Sequence, residues 1–426
     1  MSLAATAEGF FHRGFLRTME NYCKLLAGTS ARLGLQAVYF FILANTLSLA
    51  DMGLFAGVSA VGLMIASFAG FGFGSYAFRA AAGRPRLLGQ YLGLFYGGLA
   101  ITTPLGVLAS LPFFFLLFDG TMPLAAWLGV VLVEILLWRI VEVLSMVQNG
   151  MGRFSAGALA ITIAAAIRCG GAVAFAVAGG GDIGQWALWY VAANCLALSI
   201  GLAVFYPPVK ARFTWRLLRA RFRDGMMFSL SYFALNAQGQ VDKLIVLTLT
   251  DARFAGIYAI STRILEFTAL PFRSFYTLYT RKLFAEGKRI RNALARTLKV
   301  EGAILGLSTL AIAALDGALW FWPNLLGPNV AVAAHLFMLM LMVPAFRNLI
   351  EFHGELFFVH GRMTARALIA IALVILNMAL LALLLTFARD LTGIALGLNA
   401  IYGLLYVLSA AALFRFIHQG HQGART

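Results

Sequence analysis

Residues 247–260, LTLTDARFAGIYAI, repeat in modified form a stretch near the start of the chain, residues 47–60, LSLADMGLFAGVSA. When one gap is allowed, both stretches have two leucines and an aspartate in the same order, followed by Phe-Ala-Gly. Each stretch follows a long apolar segment and has the same place in its half of the chain. The repeat favours duplication of one unit, so we predict a fold with two related halves.

The composition excludes a soluble domain. Of the 426 residues, 61% are hydrophobic and 12% are charged, and the mean hydropathy is +0.86, whereas about a quarter of a soluble domain is charged. A helix needs roughly 20 apolar residues to cross a bilayer. Segments of that length occur twelve times, at residues 22–45, 54–78, 88–117, 123–149, 155–178, 184–206, 225–249, 254–280, 298–322, 330–358, 367–388 and 391–416. We therefore predict an all-α, polytopic membrane protein with about twelve transmembrane helices.

Basic residues are distributed unevenly between the two sides of these spans. With the N-terminus inside, the cytoplasmic segments hold 24 of the 33 Lys and Arg residues, whereas the outer loops hold only Arg253 and Arg389. Cytoplasmic loops of membrane proteins accumulate Lys and Arg, so we predict that both termini are cytoplasmic. Attraction of the basic loops to anionic lipid then explains the net charge of +16 without a nucleic-acid partner.

The longest polar interruption is residues 207–224, PPVKARFTWRLLRARFRD, in which arginines alternate with apolar residues as in an interfacial helix. It predicts an N-terminal six-helix lobe (1–206), a cytoplasmic amphipathic linker (207–224) and a C-terminal six-helix lobe (225–426). Because a unit with an even number of spans keeps its orientation on duplication, the lobes are expected to be related by a parallel pseudo-two-fold repeat. Transporters built in this way bind their substrate between the halves.

Ionisable residues occur inside the predicted spans, where each costs on the order of 2.5 to 3.5 kcal/mol and normally faces a partner or a wet cavity. The seven basic and seven acidic residues at or near this depth are Arg32, Arg139, Arg168, Lys243, Arg263, Arg273 and Arg347, and Glu134, Glu142, Asp242, Glu266, Asp316, Glu351 and Glu355. Helical periodicity places several of them on polar stripes. Such stripes on helices of both halves indicate a hydrated chamber.

Two interpretations of these charges remain open. Some basic residues have an acid three or four positions later and are explained equally well as structural ion pairs, namely Arg139 with Glu142, Arg263 with Glu266 and Arg347 with Glu351. Others have no acid at that spacing in their own helix: Arg32, Arg168, Lys243 and Arg273. If these remain unpaired, the chamber is cationic and suits an anionic substrate such as a phosphate.

The block GQVDKLIVLTLTDARFAGIYAISTRILEFTALPFRSFY, residues 239–276, has Asp242 followed by Lys243, then an apolar stretch, a short turn, Gly256 and Tyr258. This order resembles the seventh and eighth helices of polysaccharide-exporting flippases of the multidrug/oligosaccharidyl-lipid/polysaccharide (MOP) superfamily. Residues 31–74, with a polar first helix and a glycine-rich second helix, are similar to the opening of the same family.

The resemblance implies a transporter that flips undecaprenyl-diphosphate-linked oligosaccharides from the cytoplasmic to the periplasmic leaflet of the bacterial inner membrane, for O-antigen or exopolysaccharide synthesis. It also implies a V-shaped central cavity that opens alternately to each side. The residues expected to bind the diphosphate headgroup are Arg32, Lys243, Arg263 and Arg273. The residues expected to act in ion coupling or gating, with H⁺ or Na⁺ as the coupling ion, are Asp242, Glu142, Glu266 and Glu351.

No metal and no other cofactor is expected. The expected partners are the lipid-linked oligosaccharide, membrane lipids, and a polysaccharide polymerase with other export proteins, and the chain is expected to act as a monomer.

Three alternatives make different predictions. A multidrug or cation exporter of the same superfamily requires an acidic chamber, and a lipid II flippase usually has two further helices. A membrane-embedded polymerase or glycosyltransferase requires a sizeable extramembrane loop with clustered acids or histidines, whereas the outer loops here have only a few residues. His353, near Glu351 and Glu355, is the one histidine cluster, and we interpret it as packing at the inner end of a helix. We therefore expect a transporter and not an enzyme.

Overall fold

The computed structural model describes residues 32–286, 293–359, 363–388 and 390–422, and within these ranges the chain is helical and contains no strand. The first helix, α1, covers residues 32–46. The helices that follow are α2 (Leu49–Ala66), α3 (Phe73–Gly83), α4 (Leu88–Leu117), α5 (Leu124–Leu132), α6 (Trp138–Gly150), α7 (Phe154–Val177), α8 (Ile183–Phe205), α9 (Trp215–Leu249), α10 (Ala252–Glu286), α11 (Ala293–Phe321), α12 (Pro328–Leu339), α13 (Val343–Val359), α14 (Met363–Phe387) and α15 (Leu391–Gln422).

The all-α membrane fold is confirmed. In the described ranges, eight helical segments are long and apolar enough to cross a membrane, and nine if the bent pair α12 and α13 counts as one span. The charged helices α9 and α10 are not among them, and α1 is described only from residue 32. In the described ranges the predicted spans nevertheless coincide with a helix or a pair of helices, so the chain is a multi-pass membrane protein.

The second predicted span is broken, and α2 and α3 are its two parts. Between them Gly70, Phe71 and Gly72 have positive φ angles of 63°, 52° and 73°, which lie in the left-handed region that a non-glycine residue such as Phe71 rarely adopts. The freed amide of Gly70 donates to the Thr102 hydroxyl of α4 at 3.0 Å. The glycines of this stretch therefore serve to bend the span.

The tenth predicted span is also broken, with a bend of 67° between α12 and α13. Pro344 lies in the first turn of α13, where a missing amide hydrogen is tolerated. The side chain of Asn399 on α15 satisfies the interrupted backbone: its amide donates to the Leu339 carbonyl at 2.7 Å, and its oxygen accepts from the Met342 amide at 3.1 Å. Backbone groups freed at membrane depth need partners of this kind.

Packing divides the chain into two compact units. Unit 1 contains residues up to Leu47 and Gly57–Gln240, and unit 2 contains Ser48–Ala56 and the chain from Val241 onward. The boundary therefore lies inside α9, a single helix that begins at Trp215 and includes the second half of the predicted linker. The predicted lobes at 1–206 and 225–426 remain a prediction.

The first residues of α2 belong to unit 2 because the two copies of the repeated sequence pack against each other there. A Cβ atom on Gly53 would collide with the backbone carbonyl of Ala252, and one on Gly256 would collide with the carbonyl of Leu49. The helices α2 and α10 thus begin in backbone-to-backbone contact, which only glycine permits at these two positions.

Candidate functional site

Asp242 is buried at the end of α9 that belongs to unit 2, with 7% of its surface exposed. Its Oδ2 accepts a hydrogen bond from the Tyr258 hydroxyl of α10 at 3.1 Å, and its Oδ1 accepts from the backbone amide of Lys243 at 2.9 Å. Helical geometry predicts that Asp242 points about 100° away from Lys243, where it can reach a neighbouring helix or flank the cavity. The bond to Tyr258 confirms that orientation.

Glu266 on α10 joins two arginines. Arg263 lies 3.0 Å from its Oε2, as the spacing of three residues predicts, and Arg347 of α13 lies 3.9 Å from its Oε1. The side chains remain accessible, with 39% of Arg263, 28% of Arg347 and 25% of Glu266 exposed. The carboxylate partner of Arg347 found here therefore comes from another helix, a contact that sequence spacing does not predict.

Lys243 completes this cluster, because its ammonium group attracts the carboxylates of both Asp242 and Glu266. The cluster thus contains three basic residues, including Arg263 and Arg347, and two acidic residues. The structural ion pair of Arg263 with Glu266, which was one of the two interpretations of this arginine, is present. The cluster therefore has a formal excess of one positive charge, and the guanidinium of Arg263 is partly exposed.

A second group of charges lies in unit 1. Arg139 and Glu142 form the predicted ion pair at 2.9 Å, and the indole nitrogen of Trp138 donates to the same carboxylate at 3.1 Å. The guanidinium carbon of Arg139 also lies 5.0 Å from the centre of the Tyr232 ring on α9. Glu142 is therefore already engaged by two donors on its own helix.

Arg168 and Glu134 belong to the same region, and neither is among the predicted site residues. The guanidinium of Arg168 lies 3.7 Å from the centre of the Trp138 ring, and its Nε donates to the Asn194 amide oxygen at 2.6 Å. Glu134, in a π turn between α5 and α6, accepts a hydrogen bond from the Tyr190 hydroxyl. Single π turns often occur at functional positions. The feature of the sequence that points to Arg168 is the lack of an acidic residue at helical spacing in its own helix.

The remaining predicted site residues are Arg32, Arg273 and Glu351. Arg32 is half-buried on α1, and its Nε is buried without a hydrogen-bond partner in the described part of the chain. The side chain of Arg273 lies outside the part of the structure that is described. Glu351 is half-buried on α13 and has interactions of its own. In the described ranges no three His, Cys, Asp or Glu side chains are grouped so that they could hold a metal ion.

Solved structures with the same arrangement of helices are membrane transporters. The lipid II flippase MurJ in an inward closed conformation is 15% identical, with a TM-score of 0.63 over 92% of this chain and 87% of that chain. Multidrug resistance MATE family transporters of the MOP superfamily match in an inward-facing conformation (15% identity, TM-score 0.55, 90% of this chain and 98% of that chain) and an outward-facing conformation (14%, 0.57, 93% and 94%). The likeness shows that this chain has the fold of these transporters.

Residues 19–271 match the family described as polysaccharide biosynthesis protein, and the chain belongs to that family. No curated protein matches the sequence significantly. The predicted resemblance to polysaccharide-exporting members of the MOP superfamily is thereby confirmed.

Proposed function

We propose that this transporter flips undecaprenyl-diphosphate-linked oligosaccharides from the cytoplasmic to the periplasmic leaflet by alternating access, for O-antigen or exopolysaccharide synthesis. In this proposal it resides in the bacterial inner membrane with both termini in the cytoplasm. The family supports a role in polysaccharide synthesis, and the likeness in fold to a lipid II flippase supports a lipid-linked substrate.

The charge cluster of unit 2 is the observation that carries the choice of substrate. A diphosphate cannot enter hydrocarbon as an isolated ion, and Arg263 offers a planar guanidinium that is 39% exposed and suits phosphate oxygens. Glu266 holds Arg263 in place, while Lys243 and Arg347 supply further positive charge. An arriving phosphate then binds to a preorganised group of cations and does not have to displace water from mobile side chains.

In this proposal the residues that bind the headgroup are Arg32, Lys243, Arg263 and Arg273. Arg347 joins them because it contacts Glu266, the partner of Arg263. Asp242, Glu142, Glu266 and Glu351 are kept as candidates for ion coupling or gating, with H⁺ or Na⁺ as the ion. A multidrug exporter requires an excess of acid, whereas basic residues outnumber acidic ones in this cluster. Because the chemistry proposed is transport, the protein needs no catalytic residue.

The first test compares two arginines of α10. Arg263→Gln should abolish surface polysaccharide in a deletion strain complemented with the variant, because the pair with Glu266 and the phosphate contact are both lost. Arg253, which is exposed near the start of the same helix, provides the matched control, and Arg253→Gln should export normally. Immunoblots of membranes must show equal amounts of both variants. Normal export from Arg263→Gln at that level would remove the cluster from the mechanism.

A further inference from the structure

A separate polar cluster inside unit 2 joins three helices. His353 of α13 is fully buried; its Nε2 lies 3.1 Å from Oε1 of Glu301 on α11, and its Nδ1 lies 2.9 Å from the Ser409 hydroxyl on α15. The Tyr406 hydroxyl donates to Oε2 of Glu301 at 2.9 Å. The sequence groups His353 with Glu351 and Glu355 on its own helix, but its carboxylate partner is Glu301, 52 positions away.

Other polar groups around α13 are engaged elsewhere. On α10 the Tyr276 hydroxyl donates to the Asn348 carbonyl at 2.7 Å, and on α14 Arg366 forms an ion pair with Glu355 at 3.0 Å. Among the described side chains, Glu301 is therefore the charged group within hydrogen-bond distance of His353. Their protonation states are coupled because the two groups share one hydrogen bond in a buried place.

The geometry accommodates two protonation states. In the first, His353 is an imidazolium whose Nε2–H donates to the Glu301 carboxylate and whose Nδ1–H donates to the Ser409 oxygen. In the second, the Nδ1–H bond breaks, the proton leaves to water and the electron pair remains on Nδ1, which then accepts from the Ser409 hydroxyl. Apart from the lost proton, the two hydrogen-bond patterns differ only in the rotation of the Ser409 hydroxyl.

The two states differ in net charge. In the first the cluster is a neutral ion pair, whereas in the second Glu301 carries an uncompensated negative charge that is 5% exposed. A buried charge without its partner is strongly destabilising. Loss of the proton therefore favours a conformation in which α13 separates from α11 and water reaches the carboxylate.

We propose that His353 and Glu301 form a proton-binding site that couples a proton to transport by controlling how α13 docks on α11 and α15. This inference rests on the proposed function and identifies the coupling ion as a proton. Arg347 lies on the same helix six residues earlier, about 9 Å along its axis, and contacts Glu266 of the headgroup cluster. Movement of α13 therefore changes the position of Arg347.

The position of α13 also fits this role. It follows the 67° bend after α12, so it can pivot there without moving α12. Glu301 lies near the start of the predicted span 298–322, two residues after Lys299, which is the last basic residue of a segment predicted to be cytoplasmic. By that topology the proton is released toward the cytoplasm.

Protonation can be measured without a transport substrate. In full-length protein labelled with ¹⁵N-histidine, the NMR signal that disappears in His353→Gln belongs to His353. We expect this signal to change with pH in the wild type, and Glu301→Gln to alter that pH dependence. The protection of the α13 amides, measured relative to the intrinsic exchange rate at each pH, should decrease at high pH in the wild type and not in Glu301→Gln. A His353 that keeps one protonation state, or an α13 whose protection does not change with pH, would overturn the inference.

Ser308→Ala is the matched control. Ser308 accepts a hydrogen bond from the Asn348 amide at 3.0 Å, which also joins α11 to α13 but involves no titratable group. This variant should keep the pH dependence of exchange. An equal loss of pH dependence in Ser308→Ala would mean that the His353 cluster acts only in packing.

Transport is then measured in vesicles of phosphatidylethanolamine and phosphatidylglycerol, with undecaprenyl diphosphate carrying a fluorescent oligosaccharide as the probe. We expect Glu301→Gln and His353→Gln to exchange the probe but to lose its acceleration by an imposed pH gradient. Acceleration that persists in both variants would overturn the coupling. If the wild type does not move the probe at all, the proposed function fails, while the NMR and exchange measurements still decide the proton site.

Discussion

Gly225 and Gly239 lie on the same helix, α9, in different surroundings. A Cβ atom on Gly225 would collide with the backbone carbonyl of Phe71 in the broken second span, whereas one on Gly239 would have no neighbour within 4 Å. Gly225→Ala should therefore destabilise the protein by about 1 to 3 kcal/mol, because the carbonyl cannot move without disturbing the left-handed turn.

Gly239→Ala is the control for this prediction, since alanine in a helix is favoured over glycine by about 0.5 to 1 kcal/mol. Thermal unfolding in detergent should show a lower Tm for Gly225→Ala and an unchanged or higher Tm for Gly239→Ala. Equal Tm values for both variants would contradict a close backbone contact at Gly225.

At the same residue scale, the sequence predicts only the local part of the candidate site. Arg139 with Glu142 and Arg263 with Glu266 are three residues apart, so one helical turn brings them together whatever the rest of the fold does. The contacts of Arg347 with Glu266 depend instead on how α13 packs against α10. Distant contacts of this kind cannot be read from spacing within one helix.

At the scale of elements, Asn399 is a partner for the backbone that the break between α12 and α13 leaves unpaired. Asn399→Ala removes the donor to Leu339 and the acceptor for Met342, and an unsatisfied group costs about 1 to 3 kcal/mol. We expect a lower Tm and faster hydrogen exchange at residues 338–346. Thr386→Ala, which removes only a bond to Leu383 in its own helix, should change neither. Unchanged exchange at the break in Asn399→Ala would show that Asn399 does not stabilise it.

The positions of the helices follow from the sequence, but the breaks within them do not. Length and apolarity are local properties, so the twelve predicted spans coincide with helices wherever the structure describes them. The breaks depend on groups far away in the chain, such as Thr102 for Gly70 and Asn399 for Met342. Pro344 and the glycines at 70 and 72 indicate that bending is possible there, but not that a partner exists to satisfy the freed backbone.

At the scale of the whole molecule, the distribution of basic residues predicts that both termini are cytoplasmic, and this orientation decides on which side each loop lies. The segment with Arg84 should then face the cytoplasm and the turn with Thr121 the periplasm; both residues are exposed. In a variant without the native Cys23, Cys169 and Cys195, a membrane-impermeant maleimide should label Thr121→Cys in cells whose outer membrane is permeabilised. It should label Arg84→Cys only after the inner membrane is also opened, because the reagent cannot cross the bilayer.

The two cysteine variants control each other: with only the outer membrane permeabilised, Thr121→Cys must be labelled and Arg84→Cys protected, whereas both must be labelled once the inner membrane is also opened. The reverse labelling pattern would mean that the protein has the opposite orientation in the membrane, with the cluster of His353 and Glu301 toward the periplasm. A proton released there would move outward, in the same direction as the proposed lipid substrate. A proton gradient directed into the cell could then not drive export. The labelling pattern therefore tests the direction of coupling as well as the topology, because a proton-driven exporter needs release on the cytoplasmic side.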